Sequence, residues 1–385
     1  MIPYGKHEVT QGDIDAVVAV LKNAQLTQGD EVPFFEEELT KYTGGKFSVA
    51  TNSATAALHL TLLSMGVTHG DIVWTSGISF VASANCALYC GANIDFIDID
   101  LRTINICPQA LEDKLKLASS RNELPKVLIV VHMAGQSCDM EEISELCSQY
   151  NIEIVEDASH AVGAKYKGHI VGSCKYSAAT VFSFHPVKII TSAEGGAILT
   201  NRFEIFDRAQ RLRSHGITKS NEHFEDKSHG DWYYEQIELG YNYRLNDVSA
   251  SLVRSQLKRL DSYLNMREII ANTYEELIDW TKYEKTNRKR YNASSNHLFV
   301  IRTKTKLAKS NTEIFSELRG AGVGVQKHYI PIYQHPYFKK LIGKNISLPN
   351  CEEYYANCIS IPVYPTLSKH EQLYVIQTLN SIADE

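Results

Sequence analysis

The chain has 385 residues, and its content of 44% hydrophobic and 22% charged residues is that of a folded globular protein rather than a disordered one. Its 39 basic and 45 acidic residues give a net charge of −6, so it lacks the overall positive charge typical of nucleic-acid binders. No apolar run approaches the ~18 residues of a membrane helix, and the first residues lack a signal-peptide core, so we expect a soluble, cytoplasmic protein.

Predicted helices and strands alternate along the first 200 residues. Helical periodicity marks residues 13–23 and 31–42, and a short strand at 46–52 follows. Beyond it, we predict helices at 54–65, 80–89 and 140–150, and strands at 71–76, 92–100, 126–133, 152–159, 177–184 and 195–201. Alternation of short β-branched runs with helices of ~10–15 residues is typical of a mostly parallel sheet covered on both faces. The sequence therefore predicts an α/β fold.

The pattern changes near Asn246. This residue can cap a helix, and apolar residues recur over 248–277 at spacings that predict one long helix. A predicted strand at 297–302 and predicted helices at 311–319 and 370–381 follow. Because a long helix commonly bridges two lobes, we predict a large α/β domain over residues 1–247 and a smaller α+β domain over residues 248–385.

Polar residues directly after the first predicted strand indicate a phosphate site. Ligands of a parallel α/β sheet bind at the carboxyl ends of its strands, and Asn52, Ser53, Ala54 and Thr55 follow such an end and open a helix. Free backbone amides, a hydroxyl and the positive end of the helix dipole favour phosphate there. The alternative interpretation is that Ser53 or Thr55 only caps the helix.

Two further strand ends carry an acid and a lysine. Asp157 ends a buried strand, where a carboxylate requires a cationic partner such as a protonated ring nitrogen, an arginine or a metal. The spacing of Asp157 and His160 is compatible with a metal pair, but no third ligand follows at a familiar spacing, and we expect no metal. Lys188 lies between two buried strands, where loss of solvation favours the nucleophilic free amine.

The ordered set of these residues predicts pyridoxal 5′-phosphate as cofactor. Gly195 and Gly196 let the backbone pass close to a bulky ligand, and Phe80 either offers a flat face to a planar ring or is a core residue. An aspartate that keeps the pyridine nitrogen protonated and a lysine that binds the aldehyde complete the requirements of this cofactor. Each residue alone is weak evidence for the cofactor, but together, in this order, they are specific.

The chain resembles the DegT-type nucleotide-sugar aminotransferases of fold type I along its whole length. The resemblance depends on these stretches: QLTQG, NSATAALHL, SFVASAN, VEDASHAVGA, FSFHPVKIITSAEGGAILTN, LRSHGI, GYNYRLND and VQKHYIPIYQHPYF. The resemblance is strongest for the branch of the family that acts in pseudaminic-acid biosynthesis. It implies a transaminase with a UDP-linked 4-keto sugar as acceptor, glutamate as donor, and a homodimer with shared active sites.

The resemblance also implies roles for individual residues. Lys188 would form the Schiff base with the cofactor, and Asp157 would partner its pyridine nitrogen. Further cofactor contacts are implied for Ala54, Thr55, Phe80, His160, Ser183 and, from the neighbouring subunit, Asn242. Sugar-nucleotide contacts are implied for Tyr4, Gln25, Leu26, Thr27, Gln28, Thr55, Ser183, Asn242, His328, Tyr329, Ile330 and Pro331. The stretch 220–239 departs from the familiar pattern, so transferred substrate specificity is least safe there.

Three other functions compete with the transaminase. A dehydratase on the same scaffold would carry histidine in place of Lys188, so the lysine favours transamination. A cofactor- or sugar-binding sensor without turnover is disfavoured by the intact Lys188, Asp157 and Ser183. A nicotinamide-dependent sugar dehydratase is excluded because no GxGxxG motif follows any predicted strand.

Overall fold

The computed structural model describes residues 1–23, 25–226, 230–287, 292–304, 306–343 and 345–382. Within these ranges the helices are α1 (Gln11–Asn23), α2 (Glu31–Thr43), α3 (Ala54–Ser64), α4 (Ala82–Tyr89), α5 (Pro108–Arg121), α6 (Met140–Ser148), α7 (Phe203–Arg213), α8 (Asp247–Leu257), α9 (Leu260–Leu277), α10 (Asn311–Gly320), α11 (Pro336–Ile342), α12 (Pro349–Asn357) and α13 (Lys369–Ile382). The strands are β1 (Phe47–Thr51), β2 (Ile72–Ser76), β3 (Asn93–Ile97), β4 (Val127–Val131), β5 (Glu153–Asp157), β6 (Lys165–Tyr166), β7 (His169–Ile170), β8 (Ala179–Ser183), β9 (Gly196–Thr200), β10 (Ile217–Thr218), β11 (Glu235–Gln236), β12 (Tyr283–Lys285), β13 (Asn292–Ala293), β14 (Phe299–Thr303) and β15 (Cys358–Ile361).

Seven strands form one large sheet in the order β1-β9-β8-β5-β4-β2-β3. Every pair is parallel except those made by β9, which runs antiparallel to both β1 and β8. The prediction of a mostly parallel α/β sheet is therefore confirmed. The interior strand β4, between β5 and β2, is buried at all five positions, as expected for a sheet covered on both faces. The six parallel strands end at one edge, and the residues that follow them there can form a common site.

The single long helix predicted over 248–277 is wrong, because the chain forms two helices separated by Lys258 and Arg259. The backbone of Arg259 has φ −109° and ψ 5°, outside helical geometry. Its guanidinium binds both carboxylate oxygens of the fully buried Asp13 on α1, at 2.7 and 2.8 Å. Leu257 at the end of α8 and Leu260 at the start of α9 both pack into the same core cluster.

A second, three-stranded sheet lies in the carboxyl-terminal third of the chain, with β14 between antiparallel neighbours β12 and β15. It packs with α9, α10 and α13 around its own apolar cluster, whose members include Tyr274, Ile301, Ile314 and Leu379. This α+β arrangement agrees with the predicted fold class, while the boundary at residue 247 stays a prediction. Among the helices described, none has the length and apolar character needed to cross a bilayer.

Candidate active site

A cavity of about 660 Å³ opens at the carboxyl edge of the large sheet. It collects residues from the ends of β1, β2, β5 and β8 and from the segment near residue 328. The predicted site residues that line it are Tyr4, Ala54, Thr55, Phe80, Asp157, His160, Ser183, Lys188, His328, Tyr329 and Ile330. The topology thus brings together residues that are up to 326 positions apart in the chain, counted from Tyr4 to Ile330 (330 − 4).

The first turn of α3 forms one wall of the cavity. Ser53 is the N-cap of this helix, and its hydroxyl accepts a hydrogen bond from the backbone N–H of Ala56 at 3.1 Å. The capping interpretation is therefore right for Ser53. The amides of Ala54 and Thr55 belong to the first turn, where no preceding helical carbonyl is available to them. A Cβ on Gly196 would lie 2.5 Å from the nitrogen of Ala54, so only glycine lets β9 approach this turn so closely.

Lys188 lies in the loop between β8 and β9 and faces the cavity. The loop is closed by hydrogen bonds from Ser192 N to Phe184 O at 2.9 Å and from Thr191 Oγ1 to the same carbonyl at 2.8 Å. Burial lowers the pKa of Lys188 to about 8, although the negative charge of Asp157 acts in the opposite direction. At pH 7 about a tenth of this amine is uncharged, and the uncharged amine is the nucleophilic form.

Asp157 ends β5 and is 95% buried, with three hydrogen-bond donors on its carboxylate. Oδ1 accepts from the backbone N–H and the hydroxyl of Ser159, at 3.1 and 2.6 Å. Oδ2 accepts from the hydroxyl of Ser83 on α4, at 2.6 Å. The sequence analysis missed both serines. Ser159 stands two residues from Asp157 and its role in an Asx-type turn could have been found, whereas nothing in the sequence connects Ser83 to Asp157.

Three histidines surround the lysine. The ring of His160 lies 4.5 Å from that of His297, centroid to centroid, at a tilt of 37°, and its Nε2 lies 3.2 Å from the hydroxyl of Tyr329. Burial lowers the pKa of His160 and of His297 well below the ordinary value and that of His328 to about 4, and the nearby Lys188 adds to the effect. All three rings are therefore neutral at physiological pH. His297 was missed by the sequence analysis, which placed it only at the start of the predicted strand at 297–302.

A profile of the DegT/DnrJ/EryC1/StrS aminotransferase family matches residues 7–380. The chain belongs to this family. Its members depend on pyridoxal 5′-phosphate, so the chain is a PLP-dependent aminotransferase, as the sequence predicted.

The similarity to individual relatives extends over the whole chain. The chain is 42% identical over 386 residues to the UDP-4-amino-4,6-dideoxy-N-acetyl-β-L-altrosamine transaminase of Campylobacter jejuni, and the match covers 100% of this chain and 98% of the relative. Helicobacter pylori PseC, an aminotransferase involved in the biosynthesis of pseudaminic acid, superposes with a TM-score of 0.91 at 32% identity over 100% of this chain and 99% of PseC. The sugar aminotransferase Spr1654 of Streptococcus pneumoniae, in its PMP form, gives 0.90 at 28% identity over 100% and 99%.

The cavity of the aminotransferase fits its cofactor chemically. The amides of α3 and the close approach of Gly196 form a cradle suited to a phosphate. The carboxylate of Asp157 suits a protonated pyridine nitrogen, and the partly neutral Lys188 suits an aldehyde. Phe80 lines the cavity and is 58% exposed, so it is not a core residue.

Six of the predicted site residues do not line this cavity: Gln25, Leu26, Thr27, Gln28, Asn242 and Pro331. The exposed loop at 25–28 is held by the buried Asp247, whose backbone N–H donates to Leu26 O at 3.0 Å and whose side chain accepts from Gly29 N at 3.0 Å. Asn242 is exposed, but its carbonyl accepts from the side chain of Asn52 at 3.4 Å, close to the first turn of α3. The loop at 25–28 and Asn242 therefore lie on the surface of one chain rather than inside its own cavity, whereas Pro331 is buried outside the cavity.

Proposed function

We propose that this aminotransferase transfers the amino group of glutamate to C4 of a UDP-linked 4-keto-6-deoxy-N-acetyl hexose. The product would be UDP-4-amino-4,6-dideoxy-N-acetyl-β-L-altrosamine, an intermediate of pseudaminic-acid biosynthesis. The observation that carries the proposal is the joint placement of Lys188 and Asp157 in one cavity of a chain that is 42% identical, over its full length, to a transaminase of that name.

Lys188 and Asp157 would divide the chemistry between them. Pyridoxal phosphate, when bound, supplies an electron sink for the carbanion that forms when the donor loses its α-proton. Lys188 would bind the cofactor covalently and, once displaced by the amino donor, its neutral amine would take up and return that proton. Asp157 would hold the pyridine nitrogen in its protonated state. The neutral rings of His160 and His328 add no positive charge beside the amine.

The remaining cavity residues would bind and orient the two ligands. Phe80 and His160 would lie against opposite faces of the cofactor ring, and the first turn of α3, together with Ser183, would bind its phosphate. Tyr4 and the segment 328–331 would contact the sugar nucleotide. Ile330 is 40% exposed at the cavity, which makes it available to a ligand.

A homodimer with shared sites accounts for the exposed residues of the predicted set. The backbone around Asn242 is bonded to Asn52, beside the phosphate cradle of its own chain, while the residue itself is exposed. Tyr241 and Tyr243 flank it and stack with 4.9 Å between centroids, and aromatic residues of this kind are enriched at interfaces. In a two-fold dimer this segment of each chain would reach the phosphate of the other. The loop at 25–28 would contribute to the sugar-nucleotide site in the same way.

Subunit mixing tests the shared site. A Lys188→Ala chain mixed with an Asn242→Ala chain should regain partial activity, because one of the two sites in the mixed dimer would be wholly wild type. A Lys188→Ala chain mixed with an Asp157→Asn chain is the matched control. Both of those residues line the same chain's cavity, so no wild-type site forms and no activity should return. If Asn242→Ala is impaired and demonstrably mixed dimers stay inactive, the site lies within one subunit.

The substrate is tested by incubating the protein and PLP with glutamate or glutamine and a panel of 4-keto nucleotide sugars. Mass spectrometry and NMR should find the β-L-altrosamine product with glutamate as the preferred donor. Borohydride reduction should link the cofactor to Lys188, and Lys188→Ala should keep the fold while losing turnover. A different 4-keto or 3-keto sugar as the preferred acceptor would refute the proposed substrate and leave the aminotransferase chemistry intact.

A further inference from the structure

Two buried serines connect the wall of the cavity to Asp157. Ser79 lines the cavity and is 3% exposed, and its hydroxyl lies 2.7 Å from that of Ser83, which is fully buried on α4. The Ser83 hydroxyl in turn lies 2.6 Å from Oδ2 of Asp157. Neither serine is among the residues assigned so far to the cofactor or the sugar nucleotide.

The direction of these hydrogen bonds follows from proton counting. An ionised carboxylate only accepts hydrogen bonds, so the single hydroxyl proton of Ser83 is donated to Asp157. The oxygen of Ser83 must then accept from Ser79. Donors arranged in a chain polarise one another, so the bond that reaches the carboxylate is strengthened by the one behind it.

The same counting identifies the oxygen that remains available. A carboxylate offers about four lone-pair sites, two on each oxygen. Ser159 fills both sites of Oδ1 through its N–H and its hydroxyl. Among the described residues Ser83 alone donates to Oδ2, which leaves one site on that oxygen. A ring nitrogen that donates to Asp157 would therefore share Oδ2 with Ser83.

We propose that Ser83, supported by Ser79, is a positioning residue that fixes Oδ2 of Asp157 toward the cofactor nitrogen and keeps the shared proton on the ring. Donors to a carboxylate favour its ionised form, and an ionised Asp157 is what a protonated pyridine requires. Without the hydroxyl, the buried carboxylate would attract that proton and the ring would lose part of its capacity as an electron sink. The inference rests on the proposed role of Asp157 and is independent of the sugar.

The experiment measures the protonation of the ring directly. Holoenzyme is prepared with PLP labelled with ¹⁵N in the pyridine ring, and the ¹⁵N chemical shift is recorded for the wild type and for Ser83→Ala. The shift should move from the protonated toward the unprotonated value. The kcat should fall about tenfold or more, the loss expected for one hydrogen bond to a charged group, while the KM for glutamate changes little. Ser79→Ala should give a smaller effect of the same sign.

Two further variants separate positioning from stability. Ser83→Thr keeps a hydroxyl on the same carbon and should restore the wild-type ¹⁵N signal. Thr75→Val is the matched control. Thr75 lies on β2, the strand before the same loop, and its fully buried hydroxyl donates to Ile129 O at 3.0 Å, its one hydrogen bond within the described residues. This variant should lower thermal stability without moving the ¹⁵N signal.

The outcomes also separate this inference from the role proposed for Asp157. If Asp157→Asn leaves the ¹⁵N shift at its wild-type value, the proposed role of Asp157 fails. If Asp157→Asn moves the shift but Ser83→Ala does not, the role of Asp157 stands and the inference about Ser83 is wrong. A loss of thermal stability in Ser83→Ala with an unchanged shift would likewise reduce Ser83 to a structural residue. If Ser83→Ala does not fold, the ¹⁵N shift of Ser79→Ala is compared with that of the wild type instead.

Discussion

The pKa of Lys188 should control how fast the protein captures its cofactor. Burial lowers this pKa from 10.5 to about 8, so at pH 8 about half of the amines are neutral. An ordinary lysine with a pKa near 10.4 would be less than about 1% neutral at that pH. Only the neutral amine attacks the aldehyde, so capture at pH 8 should be on the order of a hundredfold faster than at an unperturbed lysine.

The assay mixes apoenzyme with PLP in a stopped-flow instrument and follows covalent attachment by absorbance between pH 6 and 10. The rate should rise with pH, pass its midpoint near 8 and then level off. Asp157→Asn should move the midpoint to lower pH, because the charge of Asp157 favours the protonated amine and its removal eliminates that effect.

Glu194→Gln is the control for charge. It also removes a carboxylate from the cavity wall, but the Glu194 side chain is 68% exposed and its charge is screened by water. The midpoint should therefore stay near 8 in this variant. A capture rate that climbs without levelling off up to pH 10 would show that Lys188 titrates like an ordinary lysine, and the argument from burial would fail.

Three further outcomes follow from the geometry. Asp157→Asn should lose on the order of a hundredfold or more in transamination rate while still binding PLP, as measured by steady-state kinetics and cofactor fluorescence, since the phosphate contacts are separate. Gly196→Ala should weaken PLP binding at least tenfold because its Cβ would lie 2.5 Å from Ala54 N, whereas Gly12→Ala, with its nearest contact at 3.8 Å, should bind normally. Glu156→Gln should destabilise the fold by about 3 kcal/mol in denaturant unfolding at pH 7. Burial opposes ionisation of Glu156, but hydrogen bonds from His132, Ser177 and Thr180 outweigh it and hold its pKa below the ordinary 4.5. The stability that this carboxylate contributes is therefore present above pH 4.5 and lost as the pH falls through the lowered pKa. The difference in unfolding free energy between variant and wild type should accordingly shrink in acid. An equal difference at pH 3 and pH 7 would contradict this reasoning.

The sequence by itself determined the fold class and the main chemistry of the cavity. Alternation of short apolar strands such as VLIVV at β4 with amphipathic helices implies a parallel sheet, and a parallel sheet gathers the ends of its strands at one edge. Asp157 and Lys188 lie in one cavity because Asp157 ends one strand at this edge and Lys188 follows another. The first turn of α3 was located in the same way, because a helix that opens directly after a strand presents its free amides to that edge.

Only the tertiary structure decided which distant residues complete the site. Ser83 is 74 residues from Asp157, and a serine on a helix carries no local pattern that reveals the carboxylate it will contact. His297 comes from the carboxyl-terminal third of the chain and reaches His160 because the backbone N–H groups of Ser295 and Leu298 donate to the carbonyls of Gly135 and Ala134 after β4. Arg259, at the break between α8 and α9, likewise binds Asp13 from 246 residues away. Local periodicity records the shape of one element, whereas these contacts arise from the packing of several elements and leave no trace in the spacing of any single one.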